Sequence, residues 1–149
     1  MFSCGFYGKR FKSEGTTFRS GIITFDSLQE VFDAPLATWD EEAYETSWQH
    51  ALQLLSKENC TASAIITRYI DLNIAPYVGW WPLYSFGENI RIREQMLFLD
   101  PIRETVTDEN LFRFIPLYNT LMAEPRPSEW SVSREDVMSF LHCLSVIKN

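Results

Sequence analysis

At 149 residues, with 46% hydrophobic and 22% charged side chains, the chain has the makeup of one globular domain spanning residues 1–149, long enough to bury a sizeable core. A net charge of −7 excludes the basic footprint that nucleic-acid binding requires, while fitting docking onto a basic protein. No apolar run approaches the roughly 18–20 residues of a membrane span, so no membrane association is expected.

In chain order, residues 1–12 alternate loosely through Phe2, Phe6 and Phe11 and predict a short edge strand. Ser13-Glu14-Gly15-Thr16 predicts a turn, and residues 18–25, with Gly21-Ile22-Ile23-Thr24-Phe25, predict a second strand in a hairpin with the first. Leu28, Val31 and Phe32 supply a short helical turn, stopped before Pro35 because a residue preceding proline avoids helical geometry. The main helix is predicted over 38–57, with Tyr44, Trp48, Ala51, Leu52 and Leu55 on one face. Thr38 and Glu41 stand at capping-box spacing, and Lys57 and Asn59 are expected to close the far end.

Three strands follow, over 61–69, 77–86 and 90–99, the last two joined by a Gly87-Glu88-Asn89 turn. Pro82 has no N–H for a ladder and places its strand at an edge or a bulge. Trp80 and Trp81 are adjacent, so one faces inward and the other is either covered by another element or an interaction anchor. In the third strand Ile90, Ile92, Met96 and Phe98 share one face and Arg91, Arg93 and Gln95 the other, with Glu94 breaking the apolar face at a wet strand end. Thr107-Asp108-Glu109-Asn110 predicts a helical turn, residues 111–117 a short strand and residues 119–127 a loop. Residues 128–132 then lead into a closing helix over 133–147, capped by Ser133 with Asp136 and burying Val137, Phe140, Leu141 and Leu144. The pattern is α+β: a single domain with a mostly antiparallel β-sheet and two main helices packed on it.

Reactive constellations do not emerge. His50 and His142 lie beside apolar helix stripes, and neither has a Cys or second His at i+3 or i+4, so no zinc or other metal site is expected. The carboxylate groups Asp40/Glu41/Glu42, Asp108/Glu109 and Glu135/Asp136 each occupy a first helical turn, where capping and the helix dipole explain them. Neighbouring helical acids point about 100° apart, which does not aim two of them at one bond. No phosphate-cradling glycine loop, dinucleotide fingerprint or nucleophile elbow occurs, so neither a cofactor nor an enzyme activity is expected. Cys4, Cys60 and Cys143 are far apart, without a Cys-x-x-Cys pair, and fit a reducing compartment. Met1-Phe2-Ser3-Cys4-Gly5 does not open a signal peptide, so the expected location is cytoplasmic. An aromatic share of 15% exceeds what one helix–sheet seam can bury, so some rings are expected to face a partner.

An ordered set of motifs resembles the CdiI-type immunity proteins of contact-dependent growth inhibition systems. It begins with Trp-Asp-x-x-x-Tyr-x-x-Ser-Trp-x-x-Ala-Leu at 39–52 and residues 62–67. It continues through Trp80-Trp81-Pro82-Leu83-Tyr84, Arg93-Glu94-Gln95-Met96-Leu97-Phe98, Phe114-Ile115-Pro116 and Ser128-Glu129-Trp130. The resemblance covers most of residues 39–145 and implies a small cytoplasmic protein that binds a CdiA C-terminal toxin domain, often a nuclease, and blocks it. Physical chemistry adds the means: a nuclease site must attract phosphate and is basic, so an acidic protein can fill or cover it. The expected toxin-binding residues are chosen by chemistry: Trp81, Tyr84, Glu88, Glu94, Asp100, Glu104, Asp108, Glu109, Glu124 and Glu129, on strand ends and loops of one half. The alternatives are an adaptor for another protein partner and a small carboxylate-dependent hydrolase.

Overall fold

The computed structural model describes residues 1–102, 105–118 and 129–148, and the described residues fold as an α+β structure of two antiparallel sheets rather than one. In the first sheet the long strand β3 (Thr16–Phe25) is central. β1 (Phe2–Phe6) and β2 (Phe11–Ser13) lie end to end along one edge and β4 (Leu28–Pro35) along the other. The expected hairpin between the first two segments is therefore present. β4 corrects the expected helical turn. Leu28, Val31 and Phe32 satisfy i, i+3, i+4 spacing, but the free edge of β3 pairs with all eight residues, and Glu30, Phe32 and Ala34 alternate toward the interior. Asp26 turns the chain between β3 and β4 at φ 55°, a left-handed position that aspartate tolerates. Gly21 leaves room for the Phe32 ring, which would lie 2.3 Å from a Cβ there.

Helix α1 (Glu41–Leu55) buries the five residues of the predicted stripe. Its cap is Asp40, whose Oδ1 accepts the Ala43 N–H at 2.9 Å; Thr38 instead accepts the Asp71 N–H at 2.9 Å. Trp39, one residue before the cap, meets Tyr44 edge-on at 5.3 Å, a hydrophobic staple that fixes the entry angle of the chain. Glu41 is drawn away from capping by two guanidinium groups, with Arg10 gripping both carboxylate oxygens at 2.6 and 3.0 Å and Arg19 at 3.3 Å. The helix ends before Lys57: Ser56 caps it, and a distant cation does the work expected of a lysine, the Arg134 guanidinium donating to the Leu55 carbonyl at 2.9 Å.

The second sheet orders β5 (Ala62–Arg68), β6 (Tyr77–Phe86), β7 (Asn89–Arg93) and β9 (Glu129–Ser133), with β8 (Gln95–Phe98) also paired to β6. Pro82 sits in the centre of this sheet, neither at an edge nor at a bulge. Pairing of β6 to β7 and to β8 keeps one register, Leu83 opposite Ile92 and Trp80 opposite Gln95, and is interrupted only between, where Pro82 has no N–H to give. Both faces of β6 are buried. On one, Trp81 meets Phe25 of the first sheet at 5.8 Å and Trp130 at 5.4 Å; on the other, Trp80 lies under Phe112 at 6.3 Å and donates to Gln95 at 2.8 Å. Neither tryptophan is an exposed anchor. The predicted apolar face of the third strand runs out of cover: Ile90 and Ile92 are buried, while Met96 and Phe98 are 52% and 53% exposed and Leu97 on the opposite face is buried.

Residues 111–114 form a 3-10 turn (Leu111–Phe114) rather than a strand, because Leu111 plugs the core beside β5 instead of pairing at a sheet edge. Residues 129–133 pair with β7 as a strand before α2 (Arg134–Lys148) begins, where Ser133 caps Asp136 N–H at 3.1 Å as predicted. Phe140 of α2 packs edge-on to Phe2 at 5.6 Å. One hydrophobic cluster runs through both sheets and both helices; Trp48, Tyr44, Leu52 and Ile65 are among its fully buried members, each contributing on the order of 2–3 kcal/mol. The loop predicted over 119–127 lies outside the described residues.

Candidate partner-binding site

The outer face of α1 does not join the core. Glu42, Thr46, His50 and Leu54 recur every four residues along it, with Ala43 and Ser47 beside them, and this face forms one wall of a cleft. Trp39 and Asp40 close one end; Asp108, Glu109, Leu111 and Phe112 form the opposite wall, and Ile66 lies between. The cleft encloses about 870 Å³.

Its walls are held by short-range chemistry. Tyr44 is fully buried; its hydroxyl donates to the Pro35 carbonyl at 2.7 Å and accepts the Tyr69 N–H at 3.0 Å. This fixes Tyr69, whose ring stacks on Trp39 at 3.8 Å and 10° and whose hydroxyl donates to Asp108. Burial and then the Asp108 carboxylate push the Tyr69 phenol up, so it stays protonated and donating. The loop carrying Asp108 closes on itself: Thr107 N–H donates to Asn110 Oδ1 at 2.7 Å, and Asn110 N–H to Thr107 Oγ1 at 3.3 Å. Reciprocal bonds of this kind define a capping box, and the predicted helical turn is realised there.

Electrostatically the cleft is one-sided. Asp40, Glu42, Asp108 and Glu109 line it without Lys or Arg, and among the described residues none of the four has an ion-pair partner. Glu41, one position away, is neutralised by Arg10 first and then Arg19, and its carboxyl is held down at about 2. Among the described residues, no group of three or more His, Cys, Asp or Glu side chains is placed to hold a metal ion. The arrangement suits binding of cationic groups over an apolar floor.

Of the residues picked from sequence, the fold brings Asp108 and Glu109 into this cleft and scatters the others. Trp81 and Tyr84 are 4% and 3% exposed and present no surface to a partner. Trp81 is enclosed between the sheets, and Tyr84 lies under residues 116–118, donating to the Pro116 carbonyl at 2.8 Å. Glu129 is committed to the buried Arg93 at 3.0 Å, whose guanidinium also lies 4.0 Å over the Tyr118 ring. Glu94 is exposed where the β6 ladder is interrupted; partial burial and then Glu30 push its carboxyl up. Glu88 is exposed at the β6–β7 turn and Asp100 beyond the open end of the same hairpin. Ten residues at ~3.3 Å each separate those ends by about 30 Å. Glu104 and Glu124 lie outside the described residues. Sequence reasoning missed Trp39, Asp40, Glu42 and His50 as cleft residues, since a capping role accounted for the two acids. The available signal was the exposed polar stripe of α1 opposite its buried one.

The model of the CdiI N-terminal domain matches residues 34–140. In structure, the chain is similar to one in the CdiA-CT/CdiI toxin and immunity complex from Enterobacter cloacae, with a TM-score of 0.87 and 26% identity, over 97% of this chain and 99% of that one. No curated protein matches. With the family match spanning α1, the whole second sheet and the start of α2, the chain belongs to the CdiI family of immunity proteins.

Proposed function

We propose that this chain neutralises the C-terminal toxin domain of a cognate CdiA effector by stoichiometric binding, without chemistry of its own, in the cytoplasm. The observation that carries the reading is the match, along nearly the full length of both chains, to a member of a toxin and immunity complex. The net charge of −7 and the unpaired carboxylates of the α1 cleft support a basic toxin, and a nuclease is the class that must be basic to hold its phosphate substrate. An acidic inhibitor gains association rate from this complementarity, and buried contacts then slow dissociation.

The test is neutralisation. The toxin domain encoded beside this chain is incubated with RNA and with DNA, alone and with equimolar chain. Degradation by the toxin alone and its arrest by the chain is the expected result. Degradation that persists at equimolar chain overturns the immunity reading; a toxin that stops growth without cutting either nucleic acid, and is still neutralised, overturns the nuclease assignment alone.

A further inference from the structure

We propose that the cleft between α1 and residues 107–112 is where the toxin docks, and that its occupant is a basic segment whose Lys or Arg side chains run along the apolar floor to the four carboxylates. The inference rests on the immunity reading and names the surface that performs it. Charge is the first argument. Among the described residues, Asp40, Glu42, Asp108 and Glu109 line the cleft with no ion pair of their own, Arg10 acting on Asp40 only at longer range, whereas Glu41, Asp26, Asp136 and Glu129 are each paired inside the chain. Acids without ion-pair partners on both walls of a cleft raise the local concentration of a cationic ligand and reject an anionic one, so nucleic acid is not the occupant.

Shape is the second argument. About 870 Å³ falls within the range of pockets that enclose a ligand of several functional groups, roughly 300–1,000 Å³, and exceeds one side chain. Its apolar lining of Leu54, Ile66, Leu111 and Phe112 suits the aliphatic stem of a long basic residue. Order is the third. The Trp39–Tyr69 stack, the Tyr69–Asp108 hydrogen bond and the Thr107–Asn110 box hold both walls before a partner arrives, which lowers the entropy lost on binding.

The test measures affinity and association rate of the purified chain for the toxin domain encoded beside it, with the Glu42→Lys/Glu109→Lys and Glu42→Gln/Glu109→Gln variants and Glu14→Lys as an exposed acid outside the cleft. Both double variants change exposed side chains with no hydrogen-bonding role in the walls, and circular dichroism checks their fold. Charge reversal is expected to weaken binding about 100-fold and the Gln pair about 10-fold, mostly through the association rate, with Glu14→Lys within about threefold of the parent. Unchanged affinity in both folded double variants, beside tight binding by the parent, overturns the cleft and leaves the immunity reading standing. Failure of the parent chain itself to bind overturns the immunity reading. Self-association of the parent that either double variant abolishes, seen by light scattering, places a second copy in the cleft and overturns the proposal.

Discussion

Replacing Tyr44 with Phe removes one oxygen from the point where α1, the end of β4 and the residue following β5 meet. The hydroxyl donates to Pro35 O at 2.7 Å and accepts from Tyr69 N at 3.0 Å, in a residue that is 0% exposed. Its ring contacts with Trp39 at 5.3 Å and Phe6 at 6.0 Å survive in the variant, so the loss is polar and the cavity no larger than an oxygen atom. Two backbone groups are stranded where water does not reach, each costing about 1–3 kcal/mol, and partial relaxation brings the total to about 2–4 kcal/mol. For a chain of this size that lowers Tm by roughly 5–15 °C. Urea titration with a shared m-value and calorimetry give the number, and amide exchange at Tyr69 should accelerate in step. A loss below about 0.5 kcal/mol with an unchanged m-value would show that the hydroxyl does not hold this junction.

Acid stability isolates Glu41. Its carboxyl titrates at about 2 in the fold against 4.5 as reference, so its contribution is full above the reference value and disappears as pH falls from about 4.5 to 2. The shift alone sets a ceiling of about 3 kcal/mol, and with Arg10 58% exposed, screening leaves about 1–2 kcal/mol. Glu41→Gln should cost that much at pH 7 and only a small remainder near pH 2; urea midpoints that fall equally at both pH values would contradict the linkage. Glu94 carries the opposite sign. Its raised carboxyl means the fold disfavours the ionised form, first through burial and then through Glu30, so Glu94→Gln should raise the urea midpoint at pH 7 and leave it unchanged below pH ~4. A lower midpoint at pH 7 would mean that the ionised carboxylate has a favourable partner.

How much the sequence revealed tracks how local the determining physics is. The α1 stripe from Tyr44 to Leu55, the Gly87-containing turn and the Ser133–Asp136 cap each depend on neighbours within a few residues, and all are present in the fold. β4 and β9 depend on remote strand edges. Residues 28–35 have helix-like spacing until β3 offers a ladder, and Trp130 pairs opposite Ile92. Burial of Trp81 and Tyr84 needs a cover on each face of β6, one from the first sheet and one from residues 105–118, which no single-strand pattern encodes. The cleft was illegible for the same reason. Asp40 and Glu42 are explained by the helix start and Asp108 and Glu109 by a helical turn, so their union becomes visible only once Tyr69 ties the two segments together.

The most direct measurement is a calorimetric titration of the purified chain with the CdiA C-terminal domain encoded beside it, repeated at low and high salt. The account predicts an equimolar complex with Kd in the nanomolar range, about 10 nM or tighter, weakening as salt rises from about 50 to 300 mM. Absence of any complex at about 50 μM of each protein would contradict it.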